Sequence, residues 1–349
     1  MGARAGRSGK VGGARLARMS ERELLGLRFC DLDLKIEGTD LGRRVDRLLR
    51  ELASKGFRYR PYVWVSSEWM TPVGLSGFGA PFYLCHPRLI RLERKMMLEA
   101  EGASERECMK ILRHETGHAI QNAYRLNRRK RWRELFGRSS EPYPETYQPK
   151  PYSRRFVQHI DDWYAQSHPD EDFAETFAVW LTPKSAWRTR YAGWGALKKL
   201  EYVDELMGEI ASRRPLVSTR ERQDSIATMR TTLGEHYGAR RDQYSVDRPA
   251  FHDRHLRQLF PEELATGRTV AAGAFLRAHR GELGRLVSSW TGQYRYMIDQ
   301  VLWEMVERCD ELGLRASRGD EGALVREAAV MLTVQTMNYL HSGRHRISM

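Results

Sequence analysis

The feature that most restricts the fold of this chain is a helix that must carry two histidines on one face beside an apolar stripe. Ser104-Glu105-Arg106-Glu107 has capping-box spacing, in which the serine oxygen accepts an orphan backbone N–H and the glutamate reaches back to the cap. The helix that starts there is expected to run to about Leu126, with Cys108, Ile111, Leu112 and Ala119 as its apolar stripe. Inside it lies His114-Glu115-Thr116-Gly117-His118, an HExxH sequence. Residues four apart are separated by about 40° around a helix, so both imidazoles reach one metal ion from one face. Glu115, between them, can address water at that metal, and Gly117 permits close approach of another segment. The plainer alternative is a pair of buried histidines satisfied by hydrogen bonds.

A metal that performs chemistry normally takes three protein ligands and keeps one position open, so a third ligand has to come from elsewhere. Downstream, Pro169 sits at a first helical position, Asp170, Glu171 and Asp172 favour the N-terminal dipole, and Thr182-Pro183 ends the helix. Phe173, Phe177, Trp180 and Leu181 recur at helical spacing and face the core, while Glu171 and Glu175 share a different face. One of these carboxylates can bind metal while the other accepts a proton from a ligand histidine's far nitrogen. Taken alone, acidic residues in a first turn merely complement the helix dipole; next to an HExxH helix the ligand reading is preferred. Asp170 and His168 are the other candidates for third ligand. His168 precedes Pro169 and is expected outside the helix, whereas Glu171 and Glu175 share a rigid face.

HETGH followed by EDFAETFAVWL in a second helix resembles the gluzincin zinc metallopeptidases, and is most similar to bacterial zinc-binding metallopeptidases and the catalytic domain of anthrax lethal factor. The resemblance covers about residues 60–185. It implies a zincin-like catalytic domain in which His114, His118 and Glu171 hold Zn2+, Glu175 lies in the outer shell, and Tyr164, two turns ahead of Glu171, assists the transition state. It also implies zinc-dependent hydrolysis of a protein or peptide substrate, with Glu115 as general base. Two alternatives come from other classes: a catalytically idle zinc-binding module, and a nucleic-acid-associated protein acting through its basic surface.

The rest of the chain frames these two helices. The expected fold class is α+β: a small mixed sheet with the HExxH and glutamate helices, followed by a mainly helical C-terminal region. Met19 to Lys55 is expected to be helical. Tyr59 to Ser66 and Pro81 to Cys85 read as short strands, the latter with an edge near Phe82 to Leu84 suited to binding substrate backbone. Ser139 to Ser153 is a Pro/Tyr-rich loop long enough to suggest function. The division expected is a flexible basic tail over 1–20, a catalytic domain over 21–205, and a helical region over 206–349, with Val287 to Cys309 and Glu321 to Leu340 as helices. His252 and His255 are read as surface residues.

Composition is needed for partners and location. A net charge of +13 invites a nucleic-acid reading, and Arg125 to Arg138 holds seven cations against Glu134. No nucleic-acid-binding motif accompanies the charge, so a solvated helix face is the better explanation. Cys30, Cys85, Cys108 and Cys309 form no CxxC pair, which excludes a zinc ribbon and fits reduced thiols. With no apolar run suited to a secretory signal or a membrane span, a cytoplasmic location is expected.

Overall fold

The computed structural model describes residues 10–144, 147, 150, 153–160, 163–243, 253–262, 269–317 and 320–339. Helices dominate and strands are few, an α+β composition. The described residues divide into two compact units, one formed by residues up to 96 with 100–236, the other by 97–99 and the residues from 237 onward.

The core of the first unit is the crossing of two buried helices, the histidine helix Glu105–Tyr124 and the glutamate helix Pro169–Leu181. Ser104 starts the first as expected, its hydroxyl accepting from Glu107 N at 3.2 Å. His168 caps the second with its own ring, Nδ1 accepting from Asp170 N at 3.1 Å. Where they cross, a Cβ added to Gly117 would stand 2.8 Å from Ala174 Cα and 3.1 Å from its carbonyl oxygen. Only a residue without a side chain allows this approach. Helix Asp40–Ser54 also clamps the histidine helix, because the buried Arg113 guanidinium forks onto buried Glu51 at 2.8 and 2.9 Å. Breaking such a pair from one side typically costs about 3–5 kcal/mol, so the clamp fixes the helix firmly. The glutamate helix is tied in turn to helix Gly195–Ile210 by Lys199 Nζ on Asp172 Oδ2 at 2.5 Å. Burial pushes the Asp172 carboxyl up to about 7 against the pull of that ammonium.

Strand β1, Tyr62–Ser66, pairs in parallel with β2, Gly77–Pro81, with Tyr62 opposite Gly77. The connecting loop turns back so that Met70 exchanges both backbone hydrogen bonds with Gly79 at 2.8 and 3.3 Å. Gly79 fits between Ser66 and Met70, where a Cβ would come within 2.7 Å of Ser66 Cβ. The strand expected over Pro81 to Cys85 is corrected: Phe82–Cys85 is a 3-10 turn with all four side chains buried. This turn places every side chain in the core and pairs with no strand, so among the described residues no substrate-binding edge exists at Phe82 to Leu84.

Two expected boundaries also move. Val11 N donates to Asp31 O at 2.7 Å, and Val11 and Leu16 are fully buried, so residues 10–20 belong to the fold. This corrects the tail expected over 1–20, of which residues 1–9 lie outside the described residues. Residue 205 falls inside helix Gly195–Ile210, and the chain after that helix stays with the first unit. Tyr62 and Trp64 donate to the carbonyls of Glu221 and Gln223 at 2.6 and 2.9 Å, and Ile226 N donates to Val65 O at 3.2 Å.

The second unit packs helices Ala272–Thr291, Arg295–Glu311 and Glu321–Tyr339 with a short antiparallel strand pair, Thr269–Ala271 and Arg315–Ser317. Phe260, Phe275, Leu276, Ile298, Leu302 and Leu332 are among its core residues. The single helix expected over Val287 to Cys309 is two, because Gly292 adopts φ +70 and ends the first with a left-handed cap. His255 is exposed and His252 lies outside the described residues. Within the basic stretch of the first unit, Arg129 and Arg131 pair with Glu209 and Glu205 at 2.7 and 2.6 Å. All four cysteines are free thiols, and no described helix is long and apolar enough to cross a membrane.

The helix crossing generates a test. Alanine is intrinsically the better helix former by about 0.8–1.0 kcal/mol. Overpacking against backbone costs typically about 1–3 kcal/mol. We expect Gly117→Ala to lower the urea midpoint; an unchanged or raised midpoint would show that the helices can part without cost.

Candidate metal centre

The crossing carries His114 and His118 from one helix to Glu171 and Glu175 of the other. Three donor atoms converge: His114 Nε2 and His118 Nε2 lie 3.0 Å apart, and Glu171 Oε2 lies 3.0 Å from the first and 3.1 Å from the second. Among the described residues, this triad is the one group of three or more potential ligands close enough to hold a metal ion. Two imidazole nitrogens and a carboxylate oxygen are the donors that catalytic zinc takes, and a tetrahedron with bonds of about 2.0–2.1 Å has edges of about 3.3 Å. The donor set and its spacing therefore fit zinc.

The fourth carboxylate stands behind the triad. Glu175 Oε1 is 2.8 Å from His114 Nδ1, and Glu175 Oε2 accepts from Ile160 N at 2.8 Å, so both oxygens are engaged in a fully buried setting. With Nδ1 directed to Glu175, the imidazole presents Nε2 to the triad. Burial disfavours charge on His114, yet Glu171 and Glu175 together hold its pKa well above the usual imidazole range. Against burial, the His118 and His114 imidazoles hold the Glu171 carboxyl well below the usual carboxylate range. The site is thus a place where opposite charges are stabilised out of water.

Glu115 follows His114 on the same helix and is held by a residue the sequence did not single out. Thr71 Oγ1 donates to Glu115 Oε2 at 2.6 Å, and the Met70–Gly79 pairing just before it places that hydroxyl. Asn122 Nδ2 secures the loop, donating to the carbonyls of Pro72 and Leu75 at 3.0 and 2.9 Å. Tyr164 sits beside the triad, its ring centroid 5.7 Å from that of His114. Burial, and then the charges of Glu171 and Glu115, raise its phenol pKa well above the ordinary value, so it stays a proton donor.

Tyr143 is the second residue not anticipated. Its hydroxyl donates to Glu171 Oε1 at 2.8 Å, the oxygen opposite the one in the triad, and its ring stacks on His168 with centroids 3.8 Å apart. Its place in the Pro/Tyr-rich loop was the one available hint. His168 itself is occupied: Nε2 lies 2.8 Å from Glu141 O and Nδ1 caps the helix. Asp170 is occupied as well, accepting from Gln121 Nε2 and Ser139 Oγ at 2.8 and 2.9 Å. Of the four candidates for third ligand, only Glu171 enters the triad.

Residues 91–232 match the family described as "Putative zinc-binding metallo-peptidase", a stretch that contains both helices and all six site residues expected from the sequence. No curated protein and no solved structure matches the chain. The match supports a zinc metallopeptidase relationship over that stretch, and with the triad it identifies zinc as the cofactor.

These contacts rank the carboxylates. In chelator-competition titrations, Glu171→Ala should weaken zinc binding most, Glu175→Ala by something like the 10–100-fold typical of outer-shell losses, and His168→Ala scarcely at all. A severe His168→Ala with a mild Glu171→Ala would reverse the assignment.

Proposed function

We propose that this protein is a gluzincin-type peptidase that hydrolyses peptide bonds in protein or peptide substrates, with His114, His118 and Glu171 as zinc ligands. The observation that carries the reading is the convergence of those three donors beside Glu115, a carboxylate that a purely structural metal site does not need. Bound zinc supplies Lewis acidity towards a carbonyl and lowers the pKa of water.

The remaining work belongs to the chain's own side chains. Glu115 takes a proton from the attacking water and passes it to the leaving amine. Thr71 occupies Glu115 Oε2, which fixes the carboxylate's rotation and leaves Oε1 to exchange the proton. Tyr164 donates a hydrogen bond to the oxyanion as the carbonyl becomes tetrahedral, a role that its raised pKa and its position beside His114 support. Glu175 sets the tautomer of His114, and Tyr143 restrains the outer oxygen of Glu171. The acidic third ligand on a second helix, one turn before the brace for the first histidine, supports the gluzincin type and a zincin-like arrangement of the first unit.

Glu115→Gln separates binding from chemistry, because glutamine keeps the shape and cannot accept the proton. In metal analysis both wild type and variant should hold about one zinc per chain, while cleavage of an unbiased peptide library falls by roughly 10²–10⁴-fold in the variant. Full activity in Glu115→Gln removes that residue from the mechanism, and a wild type without stoichiometric zinc sinks the peptidase reading.

A further inference from the structure

On another face of the histidine helix lies a cleft that the proposed chemistry does not use. Arg106, Met109, Lys110 and Arg113 of that helix line it. At 100° per residue this stripe is centred roughly 110° around the helix from His114 and His118 and roughly opposite Glu115. Arg47 and Arg190 line it from other segments, as does His159, with Nε2 on Lys110 O at 3.0 Å. The cleft has a volume of about 670 Å³, within the range of small-molecule sites.

Its charge is strongly one-sided. Five cationic side chains line it, Arg47, Arg106, Lys110, Arg113 and Arg190, against the single carboxylate of Glu105. Glu51 adds one more negative charge from behind, where it binds Arg113 and Arg47. Counting the two carboxylates against the five cations leaves a net charge of +3. Among the described residues, neither Arg106 nor Arg190 has a carboxylate partner; Arg190 only lies over the Tyr191 ring. Arg113 is held rigidly, spending Nε and Nη2 on Glu51 and leaving Nη1 outside that pair. A rigidly held guanidinium fork beside two exposed arginines that have no carboxylate partner among the described residues suits oxyanions that each accept two parallel hydrogen bonds.

We propose that this cleft binds a small ligand carrying two or more phosphate-class oxyanions, seated on Arg106, Arg113 and Arg190. The compact volume favours such a ligand over an extended acidic peptide, which would span beyond it. The site is independent of the peptidase reading, since no residue of the triad, nor Glu115 or Tyr164, lines it.

Isothermal titration of the zinc-loaded full chain at constant ionic strength tests it, with inorganic pyrophosphate and ADP as separate probes and a polyglutamate peptide as competitor. Pyrophosphate should bind with a dissociation constant below about 1 mM, and Arg106→Gln/Arg190→Gln should weaken it at least tenfold while zinc content stays at the wild-type level. Equal affinities would mean that the cleft reads phosphates alone, and tighter ADP binding that it also reads the nucleoside; both support the site. Binding of the probes to zinc itself would survive in the double variant, so wild-type affinity in that variant overturns the proposal. So does the absence of millimolar binding, or polyglutamate binding tighter than either probe.

Discussion

Gly117 and Ala174 each stand three residues after one donor and one residue before another. On the first helix the flanking pair is His114 and His118; on the second it is Glu171 and Glu175. Because the helices touch backbone to backbone at those two residues, the four side chains are directed into the same small volume on one side of the contact. A side chain at position 117 would force the two helices to shift apart and so strain the hydrogen bonds between the carboxylates and the imidazoles. The supports further out hold this contact: Arg113 on Glu51 from one side, Lys199 on Asp172 from the other.

The electrostatic consequence is that two imidazoles and two carboxylates share a buried site without any of them being an isolated charge. Burial alone would drive each group towards its neutral form. Their mutual attraction outweighs it, since Glu171 lies well below the carboxylate range and His114 well above the imidazole range. Tyr143 and Ile160 N supply the hydrogen bonds that the outer oxygens of Glu171 and Glu175 need. A site furnished in this way is rigid enough to hold donors at tetrahedral spacing, which is what separates it from a chance pair of histidines on a helix.

Much of this was legible in local sequence signals. The capping serine, the prolines and the helical spacing place both helices to within a few residues of Glu105–Tyr124 and Pro169–Leu181. They fail where a signal has two physical causes. Aromatic richness at Phe82–Cys85 reads as strand but here reports complete burial in a 3-10 turn, and short apolar runs do not distinguish the two. Thr71 carries no signal at all, because its place beside Glu115 depends on a pairing between Met70 and Gly79 that only the folded sheet creates. Tyr143 sat in a loop recognised for its length, but its partner, Glu171, is 28 residues away. The cleft on Arg106 and Arg190 was hidden for the same reason: it is assembled from four separate stretches of chain.

The account stands on zinc held by two nitrogens and an oxygen from this pair of helices. X-ray absorption spectroscopy at the zinc edge measures that coordination directly. The account predicts a shell of nitrogen and oxygen donors at about 2.0–2.1 Å, with two imidazoles resolved by their outer-ring scattering, and loss of one imidazole in His118→Ala. A sulfur shell at about 2.3 Å, which would put one of the four cysteines at the metal, or two imidazoles persisting in His118→Ala, would contradict it.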